Sequence, residues 1–328
     1  MFYKINSVQS SRSILVAFKF RSQWNHHVLS KVSWASQVYV CFLRELGHRD
    51  SISVANTVEE FCISKNIDCV IIDPEFAPWI DQQFLFQIKR NCRVGLFIFD
   101  HQIYPASKRL CSLASFVLAA DPSFALECNN HAIPAMFFPL EGEFPSGTPD
   151  IPIEETEFDV LFYGSINKSR RAFIESLGKL RNIRLRIHDS STERIDYTCI
   201  KSLIQSAKIS LNFSRFELPA EIGFVDFENN PVKRISDTPF VYGHKGRIQE
   251  VGFASRLCIS EFTPALAMHG LETLVPQFKT PDEMCELLIE FIGLPREELQ
   301  ESIFKFSSQV QTVFSNKAVG QKLKDFIW

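Results

Sequence analysis

Lys245-Gly246-Arg247-Ile248-Gln249-Glu250-Val251-Gly252-Phe253-Ala254-Ser255-Arg256-Leu257-Cys258-Ile259-Ser260-Glu261-Phe262-Thr263-Pro264 is the stretch whose reading decides the fold. A glycine between two cations opens a predicted helix, Glu250 falls on its first turn, and the apolar run Leu257-Cys258-Ile259 follows as a buried strand. Arginine can grip a phosphate with two parallel bonds, lysine acts on it as a point charge, and an ionised glutamate accepts from sugar hydroxyls. Each hydrogen bond to a charged group contributes roughly 1.5–3 kcal/mol, so Lys245, Arg247 and Glu250 are candidate binding residues. The plainer reading of the same three is a capping network at a surface helix.

Working outward, short apolar runs alternate with helical patterns along the whole chain. The runs at 13–20, 68–73, 93–100, 116–119 and 135–138 are continuous rather than alternating. That predicts strands covered on both faces, hence a parallel sheet between helices. Residues 26–46 carry helical periodicity up to Gly47 and are expected as one helix. Pro139, Pro145, Pro149 and Pro152, with Gly142 and Gly147, read as a linker over 139–157. It divides a first domain, 1–150, from a second, 151–328.

The second domain repeats the alternation, with strands expected at 159–163, 183–188, 208–213 and 257–260 and helices near 168–180 and 196–206. A helical tail follows from Pro281, at 282–291, 296–313 and 317–326, and residues 217–243 read as irregular and polar. The fold class is therefore α/β: two Rossmann-like domains facing a cleft, with a C-terminal helical tail.

Bulk properties exclude several classes of function. A length of 328 residues suits about two domains. A formal charge of −3 gives no global attraction to nucleic acid or anionic lipid, so an anionic ligand has to be held by local cations. Nine cysteines without a C-x-x-C pair read as reduced core residues, not as a zinc site or disulfide frame. The N-terminus lacks the apolar segment of a signal peptide, and no run approaches the ~18 apolar residues of a membrane span. The chain reads as cytoplasmic, with peripheral membrane attachment left open.

Further candidates sit at predicted strand ends. In Phe158-Asp159-Val160-Leu161-Phe162-Tyr163-Gly164-Ser165, a glycine lets the backbone approach a ligand before the next helix begins. Gly164 and Ser165 are the candidates there, an ordinary strand-to-helix turn being the plainer reading. Neither G-x-G-x-x-G nor the P-loop spacing occurs. Asn212 and Arg215 lie at the carboxyl end of another strand, where open α/β sheets bind ligands. Glu261 and Thr263 reach the same edge, although Thr263 before Pro264 also suits a helix cap.

In the first domain Asp100 and His101 end a strand, Asp73 and Glu75 follow its neighbour, and His26 and His27 follow the first loop. Any of these can serve as a base if it faces an acceptor. Asp100 and His101 are the catalytic candidates, with a structural histidine as the plainer alternative. There is no nucleophile elbow and no H-E-x-x-H.

The pieces Asp159–Ser165, Ser210–Ser214, Lys245–Glu250 and Ile259–Pro264, with the tail from Pro281, resemble in order and spacing the spore-maturation-protein-like glycosyltransferases of the two-domain GT-B class. The resemblance covers about 158–326; the first half fits only in outline. It implies a hexosyltransferase-like enzyme with a nucleotide-diphosphate sugar, UDP- or GDP-linked, on the second domain. The acceptor would enter from the first domain, and no cofactor or essential metal would be needed. Arg247 and Lys245 would face the diphosphate, Glu250 the ribose, and Gly164 and Ser165 the phosphate or the transferred sugar. Two departures stand out: Ser255 where similar proteins have Gly, and Gln249 where an apolar residue is usual.

The expected function is transfer of a sugar to an acceptor hydroxyl. Glycan, lipid, protein and small-molecule acceptors are all open, and the stereochemistry is undecided. A nucleotide-sugar epimerase on the same scaffold and a non-catalytic nucleotide- or sugar-binding module are the alternatives. Nucleic acid is disfavoured as a partner because no basic, aromatic stripe occurs.

Overall fold

The computed structural model describes residues 1–7, 12–19, 21–22, 25–47, 50–74, 79–99, 109–144, 150–193, 195–217, 224–225, 231–232 and 240–328. The described chain forms two compact units, one from Met1–Leu140 with Asn316–Trp328 and the described residues of Leu218–Thr238, the other from Glu141–Glu217 with Pro239–Ser315.

The first unit is built on seven strands: β1 (Phe2–Ser7), β2 (Ser13–Phe18), β3 (Gln37–Phe42), β4 (Cys69–Ile72), β5 (Arg93–Ile98), β6 (Phe116–Ala119) and β7 (Ala135–Phe137). Their order is β1-β3-β2-β4-β5-β6-β7, with β1 antiparallel to β3 and the remaining neighbours parallel. Successive residues of β2 serve opposite faces. Leu15 joins a core with Val70, Leu96 and Val117, whereas Ile14 and Val16 join another with Val38, Ile71 and Phe97. This two-sided burial is what continuous apolar strands require.

The first core is closed by α2 (Ser51–Lys65) and α3 (Gln82–Ile88), whose starts are fixed by Asp50 and Asp81 accepting from Ser53 and Phe84 amides at 2.8 Å each. Asp121 caps α4 (Pro122–Asn130) in the same way. The second core is closed by α1 (Asn25–Lys31) and the C-terminal helix, Asn316–Ile327, through Val28, Val319, Leu323 and Ile327. Lys31 is fully buried, and its ammonium donates to the carbonyls of Pro139 (2.6 Å) and Leu140 (3.1 Å).

One sequence expectation is corrected here. Residues 26–46 are not one helix: α1 stops at Lys31, β3 occupies Gln37–Phe42, and a short 3₁₀ turn ends at Gly47. Gln37-Val38-Tyr39-Val40-Cys41-Phe42 is rich in β-branched and aromatic residues and is buried along nearly its whole length. Parallel pairing with β2 overrides its apparent helical spacing.

The second unit carries β8 (Phe158–Gly164), β9 (Leu185–Asp189), β10 (Ala207–Asn212), β15 (Leu257–Glu261) and β16 (Gln277–Phe278), all parallel, in the order β9-β8-β10-β15-β16. Between β10 and β15 along the chain come the short strands β11 (Arg215–Glu217), β12 (Phe224–Val225), β13 (Pro231–Val232) and β14 (Phe240–Tyr242), paired as β11-β14 in this unit and β12-β13 in the first. Sequence reasoning read that region as irregular throughout.

The helices of this unit are α5 (Lys168–Leu177), α6 (Tyr197–Gln205), α7 (Arg247–Phe253), α8 (Pro281–Ile292) and α9 (Arg296–Phe314), and the last helix of the chain is α10 (Asn316–Ile327). Val160, Phe162, Ile209, Leu211, Leu257 and Ile259 of the strands pack with Phe173, Met284 and Leu288 of α5 and α8. In both sheets the parallel strands run in the order second, first, third, fourth. The chain therefore reverses its direction of travel beside the first parallel strand, at β2/β4 in one unit and β8/β10 in the other. In open α/β sheets the crevice beyond the carboxyl ends at such a reversal is where ligands bind. In the second unit those ends carry Gly164 and Asn212.

Candidate functional site

Gly164 ends β8 with φ of +138°, a conformation that glycine adopts far more readily than other residues. Its missing side chain matters a second time. A Cβ built there would lie 2.3 Å from one Nη of Arg247, so the guanidinium lies over the glycine backbone. Arg247, the first residue of α7, also stacks on Tyr163 and Phe162, with Cζ at 4.5 and 5.5 Å from the ring centres. Such contacts hold a cation in place without neutralising it. Its buried Nε has no hydrogen-bond partner among the described residues.

One turn along α7, Glu250 is 5% exposed, and one of its oxygens accepts from the Tyr163 hydroxyl at 2.7 Å. No donor among the described residues reaches its other oxygen. Burial, with the Glu141 charge beside it, pushes this carboxyl up to about 7 against the pull of Tyr163 and Arg247. Burial and Glu250 in turn raise the Tyr163 phenol well above its usual value. Gly164, Arg247 and Glu250, distant in sequence or spaced along a helix, thus meet in one place, and Lys245 is two residues from Arg247.

Of the other predicted residues of this unit, Arg215 and Glu261 are closed on each other. Glu261, at the end of β15, is fully buried and ion-paired with Arg215, and it accepts from the Ser214 and Arg215 amides at 3.1 and 3.0 Å. Arg215 donates in addition to the Lys279 carbonyl at 2.9 Å and lies over Phe173. Burial raises the Glu261 carboxyl, and the amide and guanidinium of Arg215 oppose the rise. Asn212 donates to Ser260 at 2.8 Å, while its buried Oδ1 has no partner among the described residues. Thr263 accepts from the Ala265 amide at 3.3 Å and caps a short 3₁₀ helix with Pro264 at its start. Ser165 is exposed, 3.2 Å from the Ser190 hydroxyl, and its carbonyl accepts from Arg170 at 2.7 Å.

In the first unit, Asp100, His101 and Glu75 lie outside the described residues. His27 is buried in α1, and burial, with His26 and Lys31 beside it, pushes its imidazole down to about 3. A histidine that weakly basic is a poor general base near neutral pH. His26 is exposed on the same helix.

Sequence reasoning gave no binding role to three members of the neighbourhood. Tyr163 was quoted within its strand without a role. Glu141 was read as linker. Gln249, noted as a departure, is fully buried with its Nε2 3.1 Å from a ring nitrogen of His244.

No protein-family model matches the chain, and no curated protein matches it in sequence. Solved structures do share its architecture. The Anabaena protein Alr3699/HepE, solved with UDP and glucose, superposes with a TM-score of 0.59 at 10% identity over 95% of this chain and 98% of that one. A glycosyltransferase from Rickettsia africae gives 0.58 at 10% identity, over 96% and 97%. A point mutant of S. aureus TarM, solved with UDP, gives 0.52 at 9% identity over 79% of this chain, which matches only 55% of TarM.

At such identities the likeness establishes the fold and nothing finer. It is the GT-B glycosyltransferase fold, with two parallel-sheet bodies and a C-terminal helix. Among the described residues no helix is long and apolar enough to cross a membrane.

Proposed function

We propose that this protein transfers a sugar from a nucleotide-diphosphate sugar to an acceptor hydroxyl, with the nucleotide end of the donor on the second compact unit. The observation that carries the reading is Arg247. Its guanidinium is steadied by Tyr163, Phe162 and the Gly164 backbone, and no acceptor among the described residues engages its buried Nε. A cation arranged in this way is suited to an external anion, and Lys245 adds a second charge nearby. Glu250 offers one oxygen to ribose hydroxyls while Tyr163 holds the other.

In the transfer, the bond from the sugar's anomeric carbon to the diphosphate oxygen breaks and a bond to the acceptor oxygen forms. Arg247 and Lys245 stabilise the charge that develops on the departing diphosphate. The acceptor proton goes to Asp100 or His101 if the anomeric carbon inverts, or to the diphosphate itself if it is retained. Two cations facing the diphosphate would supply the positive charge that a metal ion can supply, so the reaction is expected to proceed in EDTA. Gly164 and Ser165 would border the phosphate or sugar.

UDP is the first nucleotide to test, since HepE and TarM were both solved with it, and GDP the second. The finer likeness to spore-maturation-type glycosyltransferases is supported by one local detail. Ser255 adopts φ of +54°, a glycine-like conformation at the position where those proteins carry Gly.

The test is a thermal-shift panel of UDP, GDP, ADP, TDP and their sugar conjugates in EDTA. A ligand that binds only the folded chain raises its midpoint by mass action. A shift with one diphosphate and its sugar conjugate upholds the reading and selects the base. No shift with any of them, on folded protein, removes it.

A further inference from the structure

A second carboxylate enters the candidate donor site. Glu141 is the first residue of the second compact unit. Its carboxyl group lies over the backbone of Gly246: a Cβ built on that glycine would fall 1.6 Å from Glu141 Cδ and 1.9 Å from each carboxylate oxygen. Any larger residue at 246 would take the space that the carboxylate fills. Gly246 stands between Lys245 and Arg247, the two cations assigned to the diphosphate. Two buried neighbours respond to the same charge. Glu141 helps keep the proton on Glu250, and it does the same for the buried phenol of Tyr197. An anionic ligand drawn to Lys245 and Arg247 would bring a further negative charge against Glu141, and like charges brought together in a partly desolvated site repel strongly.

We propose that Glu141 is a specificity-determining residue, an internal competitor whose carboxylate is seated over Gly246 beside the two cations and is moved aside when the anionic group of the ligand binds. The proposal rests on the nucleotide-diphosphate reading given above. It has a directional consequence that a merely structural role lacks. Removing the charge of Glu141 tightens binding of charged nucleotides and leaves the uncharged nucleoside unaffected.

The experiment is titration calorimetry of UDP, GDP, ADP and TDP, and of the corresponding nucleosides, against the full chain and its Glu141→Gln and Glu141→Ala variants. Circular dichroism verifies the fold of each. The Gln variant keeps the shape and loses the charge; the Ala variant loses both. The expected result is a diphosphate that binds both variants about 10-fold more tightly than wild type, with nucleoside affinity unchanged and the gain shrinking at high salt. Unchanged or weaker diphosphate binding by folded variants overturns the role of Glu141 and leaves the nucleotide site standing. Binding by the variants alone upholds both readings. No binding by wild type or either variant overturns the nucleotide site and this role together.

Discussion

Two arginine–glutamate pairs stand near the carboxyl edge of the second sheet, and they are built in opposite ways. Arg215 and Glu261 are spent on each other: the guanidinium meets the carboxylate, two amides complete the acceptor, and a carbonyl takes a remaining donor. Arg247 and Glu250 are three residues apart on α7, yet each is steadied by β8 instead, the arginine by Gly164 and two rings, the glutamate by Tyr163. Residue type and sheet edge are the same in both. The difference lies in whether the polar capacity is consumed within the protein: one pair is an ion pair that fastens two strands, and in the other Arg247 Nε and one Glu250 oxygen have no hydrogen-bond partner among the described residues.

The largest effect that sharpens this contrast is on stability. Arg215→Ala leaves Glu261 buried without its counter-ion, a loss of about 3–5 kcal/mol. Urea unfolding measures it, and a loss below about 1 kcal/mol would mean that the pair behaves as a surface contact.

A smaller effect concerns Glu250. Its carboxyl is pushed up from 4.5 to about 7 in the folded chain, so the folded state keeps this proton where the unfolded state has lost it. The stability it contributes is fully present below the unfolded value and is lost as pH rises through the folded one. Glu250→Gln should therefore gain on wild type between pH 5 and 8, by on the order of 1–3 kcal/mol. A difference that does not change with pH would contradict the assignment.

The smallest effect lies beyond both pairs, at the turn into β15. Ser255 is exposed in the left-handed region, so Ser255→Gly should stabilise the chain by about 0.5–1 kcal/mol without altering ligand binding. A loss of stability in thermal unfolding would show that the hydroxyl has a role of its own.

Much of this was legible in the sequence, for identifiable reasons. Strands such as Cys69–Ile72 and Leu257–Glu261 announce themselves because burial on both faces demands uninterrupted apolar runs. Residues 37–42 misled, because apolar positions continuing from α1 imitate a helical stripe until pairing with β2 is known. Lys245, Arg247 and Glu250 were visible as a cluster, but the separation of Arg247 from Arg215 was not. It depends on which acceptors lie within reach in space, and Glu261 is 46 residues from Arg215 along the chain. Glu141 was hidden more completely, since nothing in a Pro- and Gly-rich segment signals that one of its acids packs over Gly246.

The central claim is that the open pair, and not the closed one, holds a nucleoside diphosphate. It is tested most directly by measuring the affinity of the folded Arg247→Ala variant for UDP and GDP in EDTA, beside wild type. The loss of a charged hydrogen-bonding group predicts a Kd weakened roughly 10- to 150-fold with the unfolding midpoint nearly unchanged. An unaltered Kd in a folded variant would contradict the assignment of this site.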